Sequence, residues 1–219
     1  MDVPAQSEES FVLGDPALVC RWRLAGGSLM LENRHIRALS RRLVMDGHLA
    51  APLLAWTKQH VEWTLRDGSA QHPDGVLMLV IDGQGRAAMT VGPYRSLARC
   101  RVTDLMGRAG VARQEADSTG VAPESLWVVS EGRLLWGIEE GCAPSGSASL
   151  IEDLARTLGT PIERCPGLER RLAGSELPLS EAFLVSDEHG VVCAADARGA
   201  EGERFLKAYQ RLQEKASRH

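Results

Sequence analysis

The sequence of 219 residues has no C-x-x-C pair and no apolar run approaching the length of a membrane span. Its five cysteines, Cys20, Cys100, Cys142, Cys165 and Cys193, are odd in number and widely spaced, without a nearby histidine pair. That pattern excludes a zinc motif and reads as reduced core thiols, so no metal site is expected. A surplus of basic charge is also missing. The net charge is -4 and the 25 basic residues are scattered, so neither nucleic acid nor an anionic membrane is an expected partner. The first ten residues, MDVPAQSEES, are acidic where a signal peptide would be basic and then apolar, which makes a soluble, cytoplasmic protein the expectation. No G-x-S-x-G, Walker or zincin pattern occurs. Gly83-Gln84-Gly85 follows one strand and precedes another, so it reads as a hairpin and not as a nucleotide fingerprint.

What is present is a clear helix start in "GCAPSGSASLIEDLARTLG", residues 141–159. Ser149 and Glu152 match an S-x-x-E capping box before the apolar positions Leu150, Ile151, Leu154, Ala155 and Leu158, and Gly159 closes the helix. A helix entered through Pro144, Ser145, Gly146 and Ser147 leaves backbone N–H groups free at the positive end of its dipole, a place suited to phosphate or carboxylate. Most helices of this kind bind only water. Cys142 lies beside the loop, where a thiolate would be stabilised, although an inert buried thiol fits its composition better. His35 and His189 are acid–base candidates whose plainer role is structural.

Along the chain, strands alternate with helices. Strands over Ala17 to Leu24 and Ser28 to Glu32 precede a helix from about Asn33 that carries Ile36, Leu39 and Leu43 on one face. A second helix covers roughly Pro52 to Arg66, and a hairpin follows around Gly83-Gln84-Gly85. Residues from Arg95 to Gly120 are polar and weakly periodic, which places the domain boundary there. The second half holds hairpins across Glu131-Gly132 and Asp187 to Gly190, the strand "TPIERC", and a final helix with Phe205, Leu206, Tyr209 and Leu212 at helical spacing. This predicts an α/β (α+β) chain of two lobes: a small N-terminal α/β domain over 1–100, a linker over 101–120 and a C-terminal α/β domain over 121–219. The strands Leu126 to Val129, Phe183 to Val185 and Val191 to Ala194 are expected in one shared sheet or barrel.

The order "SLWVVSEGRLLW…GCAPSGSASLIEDLARTLGTPIE…SEAFLVSDEHGVVCAADARG" resembles the C-terminal domain of the fold-type IV pyridoxal-phosphate enzymes, the class IV aminotransferases and 4-amino-4-deoxychorismate lyase. The matching patterns there are N-L-F-x-V-x-x-G, L-P-G-I-T-R and E-V-F-L-T-x-x-x-x-G-V-x-P-V. The likeness runs from about Ser125 to Leu158 and again from Glu181 to Ala194. In the N-terminal half it is limited to "LGD" (Leu13 to Asp15) and "HIRAL" (His35 to Leu39), which is similar to the family's H-L-x-R-L.

The resemblance implies a cofactor phosphate at Ser145, Gly146 and Ser147, and a Schiff-base lysine between Arg95 and Gly120, since only a primary amine forms that linkage. This chain has only Lys58, Lys207 and Lys215, and "DLMGR" places Met106 where the amine is expected. The phosphate-binding arginine corresponds to Ala38, and Glu124 is one residue from the strand start, where the family's pyridine-pairing glutamate is five away. The family's late hydroxyl aligns with Asp187. A buried carboxylate facing a phosphate dianion costs several kcal/mol unless one is neutralised. Ser145, Gly146, Ser147 and Asp187 therefore read as a vestigial phosphate site holding water, a sulfate, or the Asp187 side chain itself. Two functions follow. One is a divergent, cofactor-free relative kept for binding or structure, with no catalytic residue assigned. The other is an active pyridoxal-phosphate lyase or aminotransferase with a displaced lysine and a rebuilt site. Relatives dimerise around the site, so a homodimer is expected, with a small anionic molecule as a possible ligand.

Overall fold

The computed structural model describes residues 12–218; the acidic N-terminus read above lies outside them. Alternation builds the first sheet. In β1 (Pro16–Ala25), Leu18, Cys20, Trp22 and Leu24 are buried on one face, while Val19 and Arg21 between them are exposed. The sheet runs β2 (Ser28–Leu29), β1, β5 (Val76–Asp82), β6 (Ala87–Gly92). Leu77, Leu79 and Ile81 of β5 extend the apolar face, which α1 (Glu32–Leu39) and α2 (Ala51–Gly68) cover with Leu39 and Val61. The β5–β6 turn closes on Asp82, whose carboxylate accepts the N–H groups of Gly14, Gln84 and Arg86. Burial opposes its ionisation, but these bonds and the Arg86 guanidinium hold it well below the usual carboxylate range.

The first helix is shorter than its apolar spacing predicts. It ends at Leu39, and Leu43 lies in β3 (Leu43–Val44), which pairs with β4 (Gly47–His48). The N–H groups of Arg41 and Arg42 bond the carbonyls of Ala38 and Leu39, tightening the chain out of α geometry. Met45 and Asp46, at φ of 50° and 62°, then turn it back.

The second sheet is ordered β11 (Gly190–Cys193), β10 (Glu181–Ser186), β7 (Glu124–Ser130), β8 (Arg133–Trp136), β9 (Ile162–Arg164). Every residue of β7 is buried because helices cover both faces. Trp127, Val129 and Phe183 face α4 (Gly146–Thr157) and α6 (Ala200–Ala216). Leu126, Val128 and Leu184 face α3 (Val102–Thr119) and α5 (Leu168–Ala173). Trp127 stacks on Trp136 with ring centroids 4.7 Å apart. The three apolar segments expected to share one sheet do so, on adjacent strands β7, β10 and β11.

The stretch 101–120, expected as a linker, is helical. It forms α3, which lies on β7 through Leu105 and Ala109, with Ala112 and Ala116 continuing the buried face. Its inward positions are mostly alanine, so the apolar stripe that marks other helices is faint in the sequence. The start of α4 also differs. Ser145, still extended at φ -66° and ψ 171°, is the N-cap and accepts the Ala148 N–H at 3.2 Å, so Ser149 is already inside the helix. Ser149 donates instead to the Gly146 carbonyl and accepts from Arg34. Gly159, at φ 69°, closes the helix as expected.

Candidate functional site

Two neighbouring features form where the lobes meet, on either side of the β10–β11 turn. The turn is held by Ser186, whose Oγ accepts the N–H groups of Glu188 and His189. Asp187 is tied to both lobes: its N–H donates to the Pro123 carbonyl, and its carbonyl accepts the Arg23 N–H of β1 at 3.0 Å.

On one side lies the start of α4. Asp187 is buried, and its Oδ1 accepts the Ser147 N–H at 2.8 Å. Its Oδ2 is 3.6 Å from His35 Nδ1, on α1. His35 is buried too, stacked on Trp22 with centroids 5.3 Å apart, and its ring lies so close to Gly146 that a Cβ there would overlap it. Burial pushes the Asp187 carboxyl up, but His35, the Ser147 N–H and the charge of Arg42 outweigh it and hold the group below its ordinary value. Arg42 is itself buried and pairs with Glu115 of α3 at 2.7 Å. Cys20 is pushed up to about 11 by its burial, and Cys142 is also raised by burial, so neither thiol is an activated nucleophile.

On the other side is an open cleft of about 710 Å³, in the size range of small-molecule sites. Its walls include Val19 and Arg21 of β1, Asp104, Gly107, Arg108, Val111 and Glu115 of α3, and Glu124, Ser186 and Glu188 at the strand ends. The polar floor is tightly bonded. Arg108 grips Glu124 with two bonds of 2.9 and 2.6 Å, and Ser186 Oγ donates to Glu124 at 2.8 Å. His189 Nε2 is 3.9 Å from Glu124, and its Nδ1 is 3.4 Å from the Tyr94 hydroxyl. Burial lowers His189 to about 4 despite Glu124, so its imidazole is neutral near pH 7. Arg21 reaches Glu188 at 3.5 Å.

Ser145, Gly146, Ser147 and Asp187 are thus brought together. Met106 is not brought to them. It is half-buried against the cluster that contains Leu105 and Leu126 and does not line the cleft. The α3 face toward the cleft carries Gly107, Arg108 and Val111 instead. All three lysines are exposed, Lys58 on α2 and Lys207 and Lys215 on α6, and none lines the cleft. Arg108, Ser186 and Arg42 gave no motif in the sequence; a buried arginine is recognisable only once its carboxylate partner is in place.

No family model matches the sequence, and no curated protein is similar to it in sequence. Solved structures are similar in fold. A branched-chain amino acid aminotransferase mutant from Thermobaculum terrenum is 15% identical over 95% of this chain and 90% of its own, with a TM-score of 0.56. The 4-amino-4-deoxychorismate lyase from Pseudomonas aeruginosa is 14% identical over 89% of this chain and 90% of its own, at 0.54. A hypothetical aminotransferase from Mycobacterium tuberculosis, in a form with α-ketoglutarate and PMP bound, is 14% identical over 96% and 94%, at 0.55. The chain has the fold of the class IV aminotransferases and 4-amino-4-deoxychorismate lyases, the fold-type IV pyridoxal-phosphate enzymes. Among the described residues no helix is long and apolar enough to cross a membrane, and no group of three metal-binding side chains occurs.

Proposed function

We propose that the chain is a cofactor-independent relative of the fold-type IV enzymes that binds a small anionic molecule in the interlobe cleft. The observation that carries this is the placement of the three lysines, all exposed on α2 and α6 and none in the cleft. Pyridoxal phosphate, when bound in such enzymes, supplies an electron sink through a lysine amine, and no side chain here provides that amine. The residues present do not fit the cofactor. Arg108 spends two N–H groups on Glu124 and has others left over, and Val19 and Val111 share the same lining, which suits a carboxylate with an apolar body. The polar floor of Glu124, Ser186 and His189 favours the second reading, an active lyase or aminotransferase with a rebuilt site.

An absorbance spectrum of protein expressed and incubated with pyridoxal phosphate separates the two. The expected result is no bound long-wavelength chromophore and no lysine modified after borohydride reduction. A stoichiometric chromophore fixed to a lysine by borohydride would establish the second reading. Met106→Lys is expected to add none, because residue 106 packs away from the cleft; its only effect is a modest loss of stability from desolvating the amine.

The protein is further proposed to be a cytoplasmic homodimer. All five cysteines are free, as a reducing compartment requires, and Val111 and Val19 leave apolar surface at the cleft mouth for a second copy to cover. Light scattering at micromolar concentration is expected to give twice the chain mass, and a monomer would overturn the dimer.

A further inference from the structure

We propose that Asp187 is an internal anion: its carboxylate fills a carboxylate-sized cup at the start of α4 and thereby latches the two lobes together. Several independent contacts converge on this one group. From the C-terminal lobe comes the Ser147 N–H, 2.8 Å from Oδ1, at the positive end of a helix of 12 residues. From the N-terminal lobe comes the imidazole of His35, 2% exposed, with Nδ1 aimed at Oδ2 from 3.6 Å. That nitrogen is buried without a hydrogen-bond partner, so the cup has polar capacity beyond the bond it already makes. Arg42 adds a buried positive charge near the same carboxylate.

The backbone of the same residue closes the latch. Its carbonyl holds the Arg23 N–H of β1 across the lobe boundary, and its N–H holds Pro123 at the foot of β7 within the C-terminal lobe, so the residue whose side chain fills the cup also joins the two sheets through its backbone. A helix start of this kind ordinarily waits for a ligand from solvent. Here the anion is covalently part of the chain, which removes the translational cost of capture and leaves the cup closed to phosphate compounds. Ligands are then confined to the open cleft on the other side of the turn. The latch stands apart from the proposed lack of lysine chemistry: that reading fails on the wild-type spectrum, this one on the behaviour of variants at residue 187.

The test is chemical rescue of Asp187→Ala by sodium formate, which matches the deleted group in charge and size. Without formate, its Tm is expected to fall by roughly 5 °C, the scale set by an unpaired buried N–H in a chain of this length. At about 0.1 M formate it should regain several degrees relative to equal sodium chloride. Wild type and Asp187→Asn, whose cups are filled, should respond equally to the two salts. An Asp187→Ala variant as stable as wild type, or one raised no more by formate than by chloride, would overturn the proposal. Should it be unfolded in chloride, the two salts are compared by refolding yield; recovery in formate alone supports the latch, and equal yields overturn it.

Discussion

Arg108→Ala is expected to destabilise the protein by about 2 kcal/mol, lowering Tm by roughly 4–8 °C. The loss comes from the partner left behind. Glu124 is 8% exposed, and without the guanidinium it keeps only the Ser186 hydroxyl bond and a neutral His189 nearby. Stranding a buried charge can cost about 3–5 kcal/mol. The lower figure applies because the Arg108 side chain is 37% exposed, so water entering from the cleft takes over part of its role. Arg108→Lys, which keeps the charge but loses the two-pronged grip, should fall between wild type and alanine. Urea unfolding checks both, and a loss under 0.5 kcal/mol for the alanine variant would mean that the floor of the cleft is already hydrated.

A larger effect is expected from Gly190→Ala, about 3 kcal/mol or more by the same measurement. Gly190 closes the β10–β11 turn at φ 69°, and a Cβ there would overlap the ring of Tyr209, which is 3% exposed between α6 and the sheet. The ring cannot withdraw without opening that core. Gly85→Ala separates strain from overlap, since Gly85 has a similar φ of 77° but open space around its missing Cβ. Its loss should stay near 1 kcal/mol, the left-handed penalty alone. Equal losses in the two variants would show that Tyr209 yields and that the turn, not the packing, sets the requirement for glycine.

Most strands and helices were legible because their signals are local. Alternation in β1, the continuous apolar run of β5, glycines at the hairpin turns and the 3.6-residue stripe on α4 each depend on near neighbours. Where the local signal is weak, the boundary is set by other elements. The helix α3 hides its inward face in Ala109, Ala112 and Ala116, and just past the end of α1 the buried Arg42 pairs with Glu115, a partner on another element. The start of α4 lies four residues before Ser149, which the capping-box spacing predicts as the cap, and only the extended backbone of Ser145 marks it as the cap.

By itself, then, the sequence determined the two-lobed α/β order, its likeness to the fold-type IV enzymes and the small-residue entry to α4. It also narrowed the occupant of that helix end to water, an external anion or Asp187. The tertiary structure decided the rest. The Asp187 carboxylate meets Ser147 across 40 residues of chain and His35 across the lobe boundary, and Arg108 finds Glu124 only because α3 lies on β7. Local patterns fix periodicity and capping, which neighbouring residues settle among themselves. Which buried charge meets which donor is set by the docking of whole elements, where burying an unpaired group is too costly to leave the choice open.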